Sequence, residues 1–133
     1  MKGYIALELA RFPKGTFGAQ LDTLARRALW EVNKNYSHGT GHGVGFFLCV
    51  HEGPQGISPS KSLGAMTAFK AGMVTSNEPG YYVEGSYGIR IENVIVCKES
   101  EDEHFLCFEP ITLFPIETKM IDMVLLSEKE KSW

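Results

Sequence analysis

Apolar side chains recur at helical spacing over residues 16–33, and this pattern predicts a helix there. The apolar stripe of that helix consists of Phe17, Leu21, Leu24, Ala25, Ala28, Leu29 and Val32. Residues 1–11 predict the end of an earlier helix, which the sequence Phe-Pro-Lys-Gly at positions 12–15 terminates. Two helices therefore open the chain, and Arg26, Arg27 and Glu31 are expected to lie mostly off the stripe of the second.

After residue 35, short apolar runs separated by glycine and proline favour strands. We expect strands at residues 46–50, 73–76, 87–97 and 105–108, a mobile surface loop over 52–70, and the first turns of a helix at 127–133. In the 87–97 strand, isoleucines and a cysteine alternate with Arg90, Glu92 and two valines, so both faces are expected to be buried. The pattern predicts an α+β fold with no internal domain boundary.

Length, charge and cysteine content narrow the class of protein. A chain of 133 residues suits one domain or a piece of one. Its net charge of -3 gives no reason to expect nucleic acid or a membrane as partner, and it has no apolar run long enough to span a bilayer. The cysteines, Cys49, Cys97 and Cys107, are odd in number and form no C-x-x-C motif. Reduced thiols in a cytoplasmic protein are the simplest interpretation.

Three of the four histidines, His38, His42 and His51, fall within fourteen positions of a glycine-rich segment. A single histidine beside glycines is usually a loop residue with a satisfied hydrogen bond, but packing rarely gathers three. The surrounding glycines argue against a helical metal site, and no H-E-x-x-H motif is present. Such glycines instead allow close approach of the backbone to a ligand or to another strand.

Three acidic or basic residues add to this cluster. Arg90 and Glu92 share one face of a strand that is predicted to be buried, where charges are costly unless they are paired or metal-bound. Glu78 ends another predicted strand. A structural Arg–Glu pair and an exposed turn acid remain open as alternatives. One histidine and two glutamates from separate strands would suit Mn²⁺, Co²⁺ or Zn²⁺.

The motifs H-G-T-G-H-G-V-G, V-H-E-G-P, E-P-G-Y-Y and G-I-R-I-E-N together resemble the pita-bread metallopeptidases, and among them aminopeptidase P, the Xaa-Pro aminopeptidases. The tail F-E-P-I-T-L-F-P-I-E-T-K-M-I-D resembles the C-terminal extension of the eukaryotic cytosolic type, which is not expected in methionine aminopeptidase or prolidase. The resemblance implies half of a pita-bread domain, with a curved, mostly antiparallel sheet and flanking helices. Residues 1–133 would be the C-terminal part of the catalytic domain, with 108–133 starting the extension.

The resemblance also implies roles for particular residues. His42, Glu78 and Glu92 match metal ligands, with Glu92 bridging two ions, and Glu78 is our choice of proton shuttle. Two further groups, His38 and His51, match histidines that contact the substrate and the tetrahedral intermediate. Arg90 matches an arginine that supports the site electrostatically. The implied cofactor is Mn²⁺, two ions per intact site, with Co²⁺ or Zn²⁺ as alternatives, and the implied substrates are peptides with proline in second position.

The family's ligand set also includes two aspartates that lie upstream of the first helix, and this chain begins after them. We therefore expect the chain alone to be inactive and to bind at most one metal ion, weakly. A separated half-domain exposes strand edges and apolar surface, so a homodimer is expected. The alternative function is a non-catalytic pita-bread module that binds proteins or peptides, but such relatives typically lose the metal ligands that this chain retains.

Overall fold

The computed structural model describes all 133 residues, and its helices flank short strands. In chain order the elements are α1 (Lys2–Glu8), β1 (Arg11–Pro13), α2 (Gly18–Trp30), β2 (Gly41–His42), β3 (Gly56–Ile57), β4 (Val74–Asn77), β5 (Gly80–Val83), β6 (Tyr87–Arg90), β7 (Asn93–Glu99), β8 (Phe105–Pro110) and α3 (Glu128–Lys131), with 3₁₀ turns at Thr118–Met120 and Met123–Leu125 before α3. None of these helices has the length and apolarity that crossing a membrane requires.

Every strand pair is antiparallel. The main sheet has the order β1-β8-β7-β4, while β2 pairs with β3 and β5 pairs with β6 in separate two-stranded ribbons. In the β4–β7 pair, Asn77 lies opposite Asn93, which places the ends of these two strands side by side. The predicted α+β class and mostly antiparallel sheet are confirmed.

Helix α2 forms where the apolar stripe predicts it, but its buried face differs from that stripe. Leu24 and Val32 are 37% and 60% exposed, whereas Arg26, which was expected to lie off the stripe, is 1% exposed. The expectation for Arg26 is wrong because Asp22, one turn earlier and also buried, pairs with the guanidinium. Hydrophobicity alone does not identify a buried side chain whose charge is neutralised by a neighbour on the same helix.

Two local predictions fail where the chain turns. Residues 46–50 form no strand, because the amide of Gly45 donates to the carbonyl of Cys49 and closes a tight loop whose tip, Phe46, is 98% exposed. Conversely, residues 11–13 form strand β1 at the edge of the main sheet. An edge strand tolerates Pro13 because one side of such a strand needs no hydrogen-bond partner.

The single strand predicted over residues 87–97 is two strands. Strand β6 ends at Arg90, with all four of its residues exposed, and β7 begins at Asn93. Only one face of β7 is fully buried, so the prediction of a strand buried on both faces is wrong. The continuous alternation concealed a break at residues 91–92, where the chain leaves the β5–β6 ribbon for the main sheet.

The hydrophobic core lies between two layers, with helices α1 and α2 on one side and the main sheet on the other. Its centre is an aromatic trio, Phe12, Phe69 and Phe108, with ring centroids 5.0 to 6.1 Å apart. Phe69 and Ile57, each at most 2% exposed, belong to the segment 52–70 that was expected to be a mobile surface loop. That expectation is wrong for these positions because their side chains are needed to fill the core.

The C-terminal helix α3, which forms within the predicted 127–133 segment, docks on α1. Lys2 Nζ lies 2.6 Å from Glu130 Oε2, and this hydrogen bond lowers the pKa of Glu130 to about 2. Trp133 packs edge-on against Tyr4 at 5.4 Å, and its indole N–H donates to Glu8. Burial and the neighbouring Glu8 carboxylate raise the pKa of Tyr4. The two ends of the chain are therefore joined.

Replacing Phe69 with alanine should lower the free energy of unfolding by about 3–5 kcal/mol, because it removes one ring of the aromatic trio and leaves a cavity. Phe46→Ala is the matched control, since Phe46 is 98% exposed and its loss should change stability by about 0.5 kcal/mol or less. Urea unfolding followed by circular dichroism measures both. Equal losses for the two variants would contradict the placement of the core.

Candidate metal centre

Glycine brings strand β2 into close contact with β4. A side-chain Cβ at Gly41 would lie 1.9 Å from the carbonyl oxygen of Ser76, so the two backbones could not approach as they do with any larger residue. The amide of His42 donates to the hydroxyl of Ser76 at 2.9 Å. The close backbone approach expected from the glycine-rich segment is confirmed, and it is an approach to another strand.

This contact places His42 beside Glu78, just past the end of β4. His42 Nε2 lies 3.2 Å from Glu78 Oε1, which also accepts a hydrogen bond from Ser76 at 2.9 Å. The other carboxylate oxygen lies 3.3 Å from Arg90 Nη1. Glu78 is only 8% exposed, so the alternative of an exposed turn acid is excluded. A carboxylate with these partners is held in one orientation.

The protonation of His42 follows from its second ring nitrogen. Nδ1 lies 3.0 Å from the carbonyl oxygen of Gly43, and a carbonyl only accepts, so we assign the proton to Nδ1. In the neutral ring Nε2 then directs a lone pair at the Glu78 carboxylate. Two acceptors this close need a shared proton or a cation between them. The backbone hydrogen bond at Nδ1 is also the usual support of a metal-binding imidazole, so the pair fits a divalent ion.

A second chain of hydrogen bonds links His38 to Arg90 through Tyr82. His38 Nδ1 donates to the carbonyl of Gly39 at 2.7 Å, and Nε2 accepts from the Tyr82 hydroxyl at 2.8 Å. That hydroxyl in turn accepts from Arg90 Nε at 2.9 Å. The bond to Tyr82 is the main cause of the raised pKa of Arg90. Arg90 thus connects the His38 side of the site to the Glu78 side.

Two site residues lie at the rim. The ring of His51 packs against that of His42, with centroids 4.0 Å apart, and is exposed on the other side. Glu92 is exposed at the break between β6 and β7, where its charge contributes to the raised pKa of Arg90. No group of three or more histidine, cysteine, aspartate or glutamate side chains is placed to hold a metal ion.

The structure therefore gathers most of the predicted site and leaves one member apart. It brings together His38, His42, His51, Glu78 and Arg90. The structural pair that was considered for Arg90 and Glu92 does not form, because Arg90 pairs with Glu78 instead. Sequence reasoning missed Tyr82 and Ser76. The tyrosine pair after Pro79-Gly80 was a signal for the first, whereas nothing in the sequence distinguishes Ser76 from other serines.

Comparison with known proteins relates the chain to metallopeptidases. The model of metallopeptidase family M24 matches residues 4–99, and the model of its C-terminal region matches 104–133. A probable Xaa-Pro aminopeptidase P from Coprinopsis cinerea is 53% identical, with 100% of this chain and 22% of the relative covered. Aminopeptidase P2 of Arabidopsis thaliana is 50% identical, with 100% and 19% covered.

A solved structure shares the fold almost throughout. The X-prolyl aminopeptidase of Caenorhabditis elegans, described as a cytosolic enzyme with a di-nuclear active site, superimposes with a TM-score of 0.92 at 46% identity. The match covers 99% of this chain and 22% of that one, so the chain spans about a fifth of the length of these relatives.

The fold and the histidine–glutamate site define a partial metallopeptidase domain of the pita-bread type. The chain belongs to metallopeptidase family M24, and the resemblance to aminopeptidase P that its motifs indicate is confirmed.

Gly41→Ala should lower the free energy of unfolding by about 1–3 kcal/mol, because the new methyl group forces β2 away from the Ser76 carbonyl. Gly39→Ala is the matched control two residues earlier, where a Cβ would lie 3.4 Å from its nearest neighbour. Chemical denaturation of both variants measures the difference. A Gly41→Ala protein as stable as Gly39→Ala would show that β2 and β4 are not in contact.

Proposed function

We propose that this chain is a C-terminal piece of a metal-dependent Xaa-Pro aminopeptidase, which removes an N-terminal residue that precedes proline. Residues 1–133 belong to the catalytic domain, and 108–133 begin its C-terminal extension. The observation that carries the proposal is the pairing of His42 with Glu78 in a family M24 fold. The names of the similar proteins support the peptide class, namely peptides with proline in second position.

The proposed cofactor is a divalent metal ion, Mn²⁺ first, with Co²⁺ or Zn²⁺ as alternatives. When bound, such an ion polarises a carbonyl and supplies an activated water. In this chain His42 Nε2 and the Glu78 carboxylate, which already face each other, would hold it, and the Glu92 carboxylate, which lies apart from them, would be the third ligand. The Gly43 carbonyl keeps His42 in the tautomer whose Nε2 is free, and Ser76 keeps one Glu78 oxygen in place.

The remaining residues of the site orient and protonate the substrate. Glu78, which lies next to both His42 and Arg90, would take up and release the proton at a carboxylate oxygen. The guanidinium of Arg90, 3.3 Å from the other carboxylate oxygen, keeps the carboxylate in place. His38, beside Tyr82, and His51, beside His42, would contact the substrate. A hydrogen bond from the exposed His51 ring would stabilise negative charge on the carbonyl under attack.

Metal binding should depend on all three proposed ligands. In calorimetric titrations with Mn²⁺, the wild-type chain should give a measurable heat of binding, and His42→Ala should give none. Glu92→Ala should bind Mn²⁺ about tenfold or more weakly, as expected when one ligand is removed. Glu84→Ala, on the exposed turn between β5 and β6, is the control and should match wild type. Equal titrations for wild type and Glu92→Ala would rule out Glu92 as a ligand.

The chain alone should not release the first residue of an X-Pro peptide, with or without added Mn²⁺. The ligand set implied by the family includes two aspartates that the 133 residues do not supply, so the second ion lacks most of its ligands. Chromatographic detection of the free amino acid measures the reaction. Release above that of a His42→Ala preparation would refute the proposed inactivity, and the C. elegans type of full-length enzyme serves as positive control.

We further propose that the parent protein acts in the cytoplasm, since the C. elegans enzyme is described as cytosolic. We also propose that the chain forms homodimers. The C-terminal tail exposes apolar side chains that a partner would cover, since Leu113, Phe114 and Val124 are each at least 84% exposed. Light scattering should give twice the 14.8 kDa chain mass. A monomer mass across the accessible concentrations would contradict the dimer, and a tagged parent protein found outside the cytoplasm would contradict the location.

A further inference from the structure

One buried arginine on helix α2 contacts the segment that leads into the candidate site. Arg26 Nε donates to Asp22 at 2.6 Å. Nη1 donates to the Asn35 side chain at 2.9 Å and to the Tyr36 carbonyl at 2.6 Å, and Nη2 donates to the His38 carbonyl at 2.7 Å. All three nitrogens of the guanidinium are therefore used, and three of their four acceptors lie between residues 35 and 38.

The carboxylate partner extends the same network to Thr40 and Glu78. Asp22 Oδ1 accepts from the Thr40 hydroxyl, which accepts in turn from the Tyr36 hydroxyl. The backbone carbonyl of Thr40 then accepts from the amide of Glu78 at 2.8 Å. The ion pair is thus one residue removed from the backbone of Glu78 and in direct contact with the backbone of His38.

The composition of this network indicates a geometric role. Burying an ion pair gives little net stability, and well-packed apolar side chains of similar volume often do as well or better. A planar guanidinium, however, fixes the directions of several acceptors at once, which a lysine cannot do. The ring of Tyr36 packs on the guanidinium at 3.8 Å and prevents it from tilting.

We propose that Arg26, held by Asp22, is a positioning residue of the candidate site. It sets the peptide planes at residues 36–40, so that His38 directs Nδ1 at Gly39 and Nε2 at Tyr82. The inference deepens the proposed function, and it rests on that function for the catalytic meaning of His38. The geometry itself is independent of metal.

The test is the tautomer of His38, read by long-range ¹H–¹⁵N NMR of the whole chain at a pH where imidazoles are neutral. Wild type should show His38 mainly as the Nδ1–H form. Arg26→Lys keeps the charge but cannot reach both carbonyls, so the ratio of Nδ1–H to Nε2–H forms should fall by about fivefold to tenfold, the scale of one hydrogen bond. Arg27→Lys is the matched control, since the adjacent Arg27 pairs with Glu31 on the exposed face and should leave the ratio unchanged. His104, exposed and distant, gives the reference signal.

A folded Arg26→Lys protein with the wild-type ratio would overturn the positioning role. If that variant does not fold, Thr40→Val decides, because it removes the hydroxyl bonds to Asp22 and Tyr36 while leaving the guanidinium in place. A loss of the Nδ1–H form in Thr40→Val supports the network, and an unchanged ratio overturns it. Mn²⁺ titration of wild type separates the two proposals. If wild type binds no metal but the tautomer ratio shifts in the variants, the proposed function is wrong and the positioning role stands. If wild type binds metal but the ratio does not shift in the variants, the positioning role is wrong and the proposed function stands.

Discussion

The buried ion pair between Asp22 and Arg26 is the constraint on which the geometry of the site depends. Both residues are 1% exposed, and removing two charges from water is costly unless every remaining donor and acceptor finds a partner. Here the surplus donors of the guanidinium turn to the segment of residues 35–38 and the surplus acceptor of the carboxylate turns to Thr40. A requirement for hydrogen-bond satisfaction therefore folds an otherwise irregular segment against α2.

A second constraint sets the opposite wall of the site. Asn77 and Asn93, paired across β4 and β7, both donate to helix α1, the first to the Tyr4 carbonyl and the second to the Glu8 carboxylate. Their side-chain oxygens are buried without a partner, so each amide is held by its nitrogen alone. The candidate carboxylates follow or precede these asparagines directly. Helix α1 thus fixes the strand ends from which both carboxylates project.

The chemistry of the site follows from these two constraints together. Contact between β2 and β4 at Gly41 brings an imidazole lone pair to a buried carboxylate, and two acceptors at 3.2 Å attract a proton or a cation. Arg90 pairs with this carboxylate and, through Tyr82, connects it to His38. Each interaction alone is common in proteins. Their combination brings side chains from separate strands and loops together in one candidate site.

Much of this protein could be predicted from its sequence. The helical periodicity of residues 16–33 located α2, and the glycines around His42 predicted close backbone approach, because both signals are local. The joint motifs indicated the family and the candidate site residues, five of which the structure brings together.

Only the tertiary structure decided which polar groups are buried and which partners they have. The sequence predicts that Arg26 lies at the surface. In the structure Asp22 and three acceptors at residues 35–38 surround its guanidinium. The alternation over residues 87–97 predicts one strand. In the structure β6 and β7 belong to different sheets, and Glu92 is exposed between them. Periodicity reports the conformation of neighbouring residues, whereas hydrogen bonds and ion pairs in a folded chain join residues that are far apart in sequence. The sequence therefore determined the family, and the fold determined how the candidate site residues are held.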